Sequence, residues 1–362
     1  MIIFLNGTSS SGKSVIAREI MHQSERPFIC FSIDHFVNFW IDGKFISFGE
    51  ESKEWFFQQP AGGVNILDAP MVEGPSIPTL HWDMIGAFAE LVKKGYDLII
   101  DEVLWSPDIF PHFIALLAES DRVYLVKVIC ELMICEQRES LRPDRYKGLT
   151  RSLYHKVYVS PPDYDLEVDT TSTSAKNCAA NILKFIQGES KPLAFKHYLK
   201  NSVSFQALTA NHFSLLSQWL NMPMVAQWWG EGKRWDLAAV EEKCEENKKE
   251  KKQIQAYIIS CSEKPIGYIQ YYRAKEHITD GSRALTVAGV DLYFGDPSYT
   301  ERGFGAFVLE LFLTQFVWEH FEACLVKVDA NNEKLINLLE SARFQTIKQL
   351  PPHIWMLRKN NA

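Results

Sequence analysis

With 362 residues the chain is too long for one ordinary domain and points to two of about 150–200 residues each. Its 46% hydrophobic and 13% aromatic content excludes a disordered protein. A net charge of -7 argues against a nucleic-acid partner, which needs a basic face, and no apolar run approaches the ~18 residues that would span a membrane.

In chain order, Ile2–Asn6 reads as a strand and Lys13–Gln23 as a helix with Val15, Ile16 and Ile20 on one side. Phe28–Ile33 reads as a strand and Asp83–Lys94 as a helix. The apolar run at Asp97–Val103 has the pattern of a strand buried on both faces. Arg122–Cys130, a helix at Glu131–Leu141, Leu166–Val168 and a helix at Ser174–Gln187 complete a first half of alternating strands and helices. That alternation predicts an α/β domain with a parallel sheet and helices on both faces over residues 1–187. GESKPLAFKHYLKNS shows no clear periodicity, and the linker is placed there, at 188–203. The remainder, 204–362, is helical first. Strands follow around Gln255–Tyr271 and Ala284–Phe294, then a helix at Phe304–His320, a strand at Ala323–Asp329 and a helix at Asn332–Ala342, an α+β pattern. EEKCEENKKEKK reads as a solvated helix surface.

Seven cysteines with no C-x-x-C pair read as reduced thiols. Ile2–Leu5 is too short for a signal segment, and no basic residues precede it. Together these predict a cytoplasmic protein. The ten histidines show no ligand spacing, so no zinc site is expected.

Gly7-Thr8-Ser9-Ser10-Ser11-Gly12-Lys13-Ser14 satisfies G-x-x-x-x-G-K-[ST], with a strand before it and a helix after it. Glycines let successive N–H groups turn inward and the helix adds its positive end, a cradle for the phosphates of ATP. Lys13 would reach the phosphates, and the Ser14 hydroxyl would ligate Mg²⁺. Asp101, closing the apolar run LII, stands where a second metal-holding carboxylate belongs. Glu102 beside it either orients water or substrate, or faces solvent. Asp34, at the end of the FSID strand, is the candidate base for a hydroxyl proton, its alternative being a helix cap. Arg138, Arg142 and Arg145 in QRESLRPDR follow a helix like a small lid. They either neutralise charge on a transferring group or lie on the surface.

IIFLNGTSSSGKS, the IDHF strand end, LIIDEV, RESLRPDR and YDLEVDTT together resemble the chloramphenicol phosphotransferase family of P-loop kinases along almost all of Met1–Ile186. The resemblance implies transfer of the ATP γ-phosphate to a hydroxyl of a small molecule, with the cradle at Gly7–Ser14 and the base at Asp34. Phe39–Trp82, rich in aromatics and prolines, is longer than in that family, and it would line the acceptor pocket.

Toward the other end, VAGVDLYFGDPSYTERGFGAFVLELFL joins a strand to Arg302-Gly303-Phe304-Gly305-Ala306 and an amphipathic helix, a second glycine turn offering N–H groups to phosphate. With VDANNEKLINLLESARF, QWLNMPMVAQWWGEGKRW and KPIGYIQYYRA, the segment Phe205–Met356 resembles GNAT acyltransferases, in particular aminoglycoside 6′-N-acetyltransferases and their siderophore-pathway relatives. The resemblance implies acetyl-CoA across Asp291–Phe294, its pyrophosphate at Arg302–Ala306 and its pantetheine arm helped by Asn332. It also implies an acidic Asp291 that takes the amine proton, and Trp228 and Trp229 walling the acceptor. Trp228 and Trp229 read equally well as core. Leu339 stands where that family often has a tyrosine that protonates the leaving thiolate, and Arg343 where it has glycine.

The expectation is therefore a bifunctional transferase of small molecules, joining ATP-dependent O-phosphorylation to acetyl-CoA-dependent N-acetylation. The alternatives are a kinase with a C-terminal sensor or scaffold domain, and a metabolic enzyme acting on a siderophore-like compound or an aminosugar.

Overall fold

The computed structural model describes residues 1–32, 55–57, 71–73, 77–104, 110, 113, 122–142, 148–159, 163–188, 191–229, 232–249, 254–300 and 304–360. It divides into two compact units, Met1–Leu199 and Lys200–Ala362.

In the first unit the strands are β1 (Ile2–Asn6), β2 (Phe28–Ser32), β5 (Asp97–Glu102), β6 (Val123–Ile129) and β7 (Leu166–Asp169), with β3 (Trp55–Phe57) and β4 (Met71–Glu73) forming a separate two-stranded ribbon. The helices are α1 (Lys13–Gln23), α2 (Ile77–Lys93), α3 (Leu132–Ser140), α4 (Leu149–Leu153), α5 (Ala175–Gln187) and α6 (Ala194–Ser202). The sheet order is β2-β5-β1-β6-β7, and every pairing is parallel. All five residues of β1 are buried, because successive side chains of this central strand enter opposite layers. Ile3 and Leu5 pack with Ile16 and Ile20 of α1 and Ile182 of α5. Phe4 turns the other way, onto Phe110 and Phe113, and Phe110 meets Phe195 of α6.

One expectation changes here, and one element was not foreseen. On α1 the buried stripe is Ile16, Ala17 and Ile20, whereas Val15 is 50% exposed. The segment expected as a linker contains helix α6, whose Ala194, Phe195 and Leu199 are buried. Its start is fixed from a distance: the Asp165 carboxylate accepts from the N–H groups of Leu193 and Ala194 at 2.7 and 2.9 Å, so no local capping residue announces it.

The second unit has helices α7 (Phe213–Leu220), α8 (Pro223–Trp229), α9 (Leu237–Lys249), α10 (Phe304–Phe312) and α11 (Glu333–Ser341). Its strands are β8 (Val203–Ala207), β9 (Gln255–Cys261), β10 (Lys264–Arg273), β13 (Val287–Phe294), β14 (Ala323–Asp329), β15 (Gln345–Leu350) and β16 (His353–Lys359). A small ribbon of β11 (Thr279–Asp280) and β12 (Arg283–Ala284) lies between β10 and β13 in the chain. The sheet order is β15-β16-β14-β13-β10-β9-β8. Only β13 and β14 pair in parallel, and only over Val287–Gly289 with Ala323–Leu325. Beyond Gly289 the two strands part, opening a wedge in the sheet. The terminal hairpin of β15 and β16 was not expected, since β15 is exposed along its whole length and carries no apolar alternation. Among the described residues no helix is long and apolar enough to cross a membrane.

Candidate active sites

The first site forms where β1 ends in the middle of the parallel sheet. Gly7 follows β1 so closely that a Cβ there would lie 2.5 Å from the Val128 carbonyl oxygen, so only glycine lets the loop leave the strand at this point. Ser10 and Gly12 both take positive φ, 61° and 98°, which turns the intervening backbone into a concave nest at the start of α1. Asp101 is brought alongside by register, Leu5 of β1 facing it on β5. The Ser14 hydroxyl donates to Asp101 Oδ2 at 2.6 Å, and Lys13 Nζ lies 3.9 Å from Oδ1. Lys13 Nζ also donates to the carbonyls of Gly7 and Thr8 at 2.7 and 3.0 Å. Burial, and then the negative charge of Asp101, push the Cys30 thiol up to about 12, so it stays protonated beside the site. Glu102 is fully buried, opposite Asn6, rather than facing solvent.

The arginines separate in the structure. Arg138 donates to Thr170 Oγ1 and to the Thr170 carbonyl at 3.1 and 2.7 Å, and Thr170 Oγ1 in turn donates to the Ser11 carbonyl at 2.6 Å. Arg142 is exposed just beyond α3. Asp34 and Arg145 lie outside the described residues, as does most of the stretch between Phe39 and Ile77.

Sequence reasoning missed the residues that brace this loop. Glu139 is buried, and its carboxylate accepts from the N–H groups of Gly148 and Thr150 and from the Thr150 hydroxyl, all at 2.7–2.8 Å. Thr150 then contacts the loop twice, through Thr8 Oγ1 at 3.4 Å and the Ser9 carbonyl at 3.3 Å. Asn6 ties the end of β1 to the Val157 carbonyl, the Tyr164 hydroxyl and the Leu104 N–H. The acidic residue after Arg138 and the D-T-T after β7 were signals in plain view, with nothing local to say what they touch.

The second site lies at the wedge. Asp291 is half-buried on β13, where its Oδ2 accepts from Gln270 Nε2 at 2.8 Å, and Gln270 Oε1 accepts from the Tyr268 hydroxyl at 2.7 Å. Trp229 packs edge-on against Tyr268 and Tyr293, at 5.8 and 4.8 Å between ring centres, and belongs to an aromatic core. Trp228 is 39% exposed. Phe304, Gly305 and Ala306 form the first turn of α10 with the Phe304 side chain buried, so the backbone of that turn is what it presents to a ligand. Arg302 and Gly303 lie outside the described residues. Asn332 caps α11, its side chain accepting from the Leu335 N–H at 3.1 Å. Leu339 is fully buried, and Arg343 sits at φ 63° just past the end of α11.

The model of the chloramphenicol phosphotransferase-like protein family matches residues 1–187, and that of the GNAT acetyltransferase domain matches residues 209–351. A Mycobacterium tuberculosis protein provisionally named an O-phosphotransferase is 25% identical over 204 residues, which are 56% of this chain and 89% of the relative. Aminoglycoside N(6′)-acetyltransferase type 1 of Klebsiella pneumoniae is 27% identical over 155 residues, 40% of this chain and 75% of the relative. The solved structure of AAC(6′)-Ib with an aminoglycoside and acetyl-CoA is 24% identical, covering 44% of this chain and 93% of its own, with a TM-score of 0.39. The first unit is thus a phosphotransferase-like domain with a parallel sheet, the second a GNAT domain with a mixed sheet, and both are transferase domains.

Proposed function

The chain belongs to the chloramphenicol phosphotransferase-like protein family, and from that premise we propose that it is a bifunctional transferase. Its first domain passes the ATP γ-phosphoryl group to a hydroxyl of a small molecule. Its second passes the acetyl group of acetyl-CoA to an amine, of the kind that aminoglycosides carry. The observation that carries the first half is the convergence of the Ser14 hydroxyl and Lys13 on the two oxygens of Asp101, at the mouth of the glycine nest. The second half rests on the wedge between β13 and β14, with Asp291 on its inner edge and the α10 turn following β13.

The residues fit the groups they would hold. Among the described residues the buried hydroxyl oxygens of Ser10 and Ser11 have no hydrogen-bond partner, groups that phosphate oxygens would satisfy. ATP would supply the transferable phosphoryl group, and Mg²⁺ the positive charge opposite it. The N–H groups of the loop bind the phosphates and Lys13 neutralises them. Ser14 and Asp101 would hold the metal, Arg138 and Arg142 would serve the nucleotide, Glu102 would border the acceptor, and Asp34 would receive the hydroxyl proton. In the second domain the turn Arg302–Ala306 would receive the pyrophosphate, and Asn332 would help hold the arm. Asp291 takes the proton of the arriving ammonium, and Trp228 borders the acceptor.

The test is incubation with ATP, acetyl-CoA and a library of hydroxyl and amino compounds, read by mass. Gain of one phosphate or one acetyl establishes each half separately. Lys13→Ala should abolish nucleotide binding, and Asp34→Asn should abolish phosphorylation with binding intact. A fully active Asp34→Asn protein would reduce that residue to a helix cap. Leu339, buried and without an ionisable group, favours a second reading in which the GNAT domain is an acyl-CoA sensor. That reading requires CoA binding without thiol release in the presence of any amine.

A further inference from the structure

When a thioester is split by an amine, a proton must travel from nitrogen to sulfur, and Leu339 cannot deliver it. The face of the sheet that carries Asp291 offers another donor. Tyr268, Gln270 and Tyr272 alternate along β10 and so share one face, in register with Tyr293, Asp291 and Gly289 of β13. Tyr268 bonds Gln270 and Gln270 bonds Asp291, while Tyr272 stands diagonal to Asp291 across the strand pair, within reach of its carboxylate on the same face.

The position of Tyr272 is unusual. Its ring covers Gly289 so closely that a Cβ there would lie 2.4 Å from ring Cε2 and 2.9 Å from the hydroxyl oxygen. Gly289 is also the last residue of β13 that pairs with β14. The Tyr272 hydroxyl therefore stands at the vertex of the wedge, beside Asp291. A carrier whose phosphates rest on the α10 turn extends its arm from the Phe294 end of β13 inward. From Phe294 to Gly289 the strand runs about 17 Å at ~3.3 Å per residue. The reactive end of such an arm would come to rest near Asp291 and Tyr272.

We propose that Asp291 and Tyr272 form a proton relay from the attacking amine to the departing sulfur, Tyr272 serving as the donor that position 339 does not supply. This rests on the acetyltransferase reading above. The amine lone pair forms the C–N bond, and the C–S bond breaks with its electron pair left on sulfur. The ammonium's first proton passes by way of Asp291 to solvent before attack, and the Asp291 carboxylate, again free, takes the remaining proton from nitrogen. Tyr272 gives its hydroxyl proton to sulfur and recovers one from Asp291. Amide and thiol leave, and both side chains return to their starting forms.

The energetics require the two to act together. Burial, and then the charges of Asp291 and Glu276, push the Tyr272 phenol well above its ordinary value. Alone it would be a poor donor to a thiolate, whose conjugate acid has a pKa near 8.5. Coupled to a protonated Asp291, the net transfer is from a carboxylic acid to a thiolate, the direction that the ordinary acidities of the two groups favour. The other titratable groups facing Tyr272 are Glu276, which is tied to Lys327, and the buried thiol of Cys324.

Tyr272→Phe keeps the ring over Gly289 and removes only the hydroxyl. In the full chain loaded with CoA, the bound thiol is titrated by its ultraviolet absorbance. Loss of the hydroxyl should raise the thiol pKa by about one unit, since a donor to the thiolate is gone. With kanamycin or tryptamine, whichever the unmodified protein acetylates, kcat for thiol release should fall on the order of 10²-fold with KM for acetyl-CoA within about two-fold. A Tyr272→Phe protein with an unmoved thiol titration, or with full kcat, overturns the relay and leaves the acetyltransferase standing. If the unmodified protein fails to bind CoA at all, the reading beneath the relay falls and the relay with it.

Discussion

Gly7→Ala tests the first site most directly, because one methyl group sets the shape of the nest against the stability of the domain. The added carbon would lie 2.5 Å from the Val128 carbonyl oxygen, 2.8 Å from Ser11 Oγ and 3.2 Å from Val128 Cβ. Ordinary contacts begin near 3.5 Å, so the loop must retreat by roughly 1 Å. Val128 cannot yield instead, since it lies in β6, paired with β1, and its carbonyl accepts from the Tyr158 hydroxyl at 2.9 Å. Overpacking of this kind costs about 1–3 kcal/mol. For a domain of this size that lowers Tm by about 2–12 °C. A 1 Å displacement of catalytic groups costs on the order of 10²-fold in rate, so phosphorylation should suffer far more than folding. The assay pairs thermal melts, in which ATP identifies the transition of the first domain, with calorimetric ATP titration and single-turnover phosphorylation. A variant that binds ATP like the parent and melts unchanged would refute the claim that close approach to β6 dictates the loop.

Ser14→Ala leaves α1 intact but removes the hydroxyl bonded to Asp101, and should cut phosphoryl transfer at least 10²-fold with melting unchanged, measured by mass on a competent acceptor. Arg343 holds a left-handed conformation that costs a side-chain-bearing residue about 1–2 kcal/mol, so Arg343→Gly should raise the Tm of the second domain by a few degrees in calorimetry. Burial alone would raise the Glu276 carboxyl, but the bond to Lys327 and backbone donors outweigh it and hold it below 4.5. A group lowered in the folded state stabilises above its unfolded value and loses that contribution as pH falls through the folded one. Lys327→Met should therefore flatten the acid limb of stability below about pH 4.5 in urea melts at stepped pH.

Most of the parallel sheet was legible because its signals are local: β1 and β5 are unbroken apolar runs, and the glycine loop carries its own geometry. The strand bearing Asp291 was legible for the same reason. What escaped was held from a distance. Helix α6 starts on Asp165, some 28 residues upstream, so its segment looked like a linker. β15 lies exposed at the sheet edge, where pairing to β16 rather than any apolar stripe makes it a strand. Glu139, Thr150, Thr170, Gln270 and Tyr272 are ordinary polar residues in sequence, and only folding brings them to the loop or to Asp291. Trp229, which read equally as pocket wall or core, has its ring engaged with Tyr268 and Tyr293.

The bracing of the glycine loop carries one more consequence for the first site. Arg138 and Glu139 are consecutive on α3, and about 100° of helical rotation sends them to opposite flanks. Arg138 reaches Ser11 through Thr170, while Glu139 reaches Thr8 and Ser9 through Thr150. A buried carboxylate is costly unless donors surround it, and three donors at 2.7–2.8 Å make Glu139 a fixed point rather than a mobile one. The loop is thus gripped from both sides by one helix end, which leaves its concave inner surface to the phosphates. Arg142 follows on the next turn, its N–H bonded to the Glu139 carbonyl at 3.0 Å. Arg142 and the glycine loop therefore share one support, the end of α3, and under the proposed function a displacement of that helix end would be felt at both.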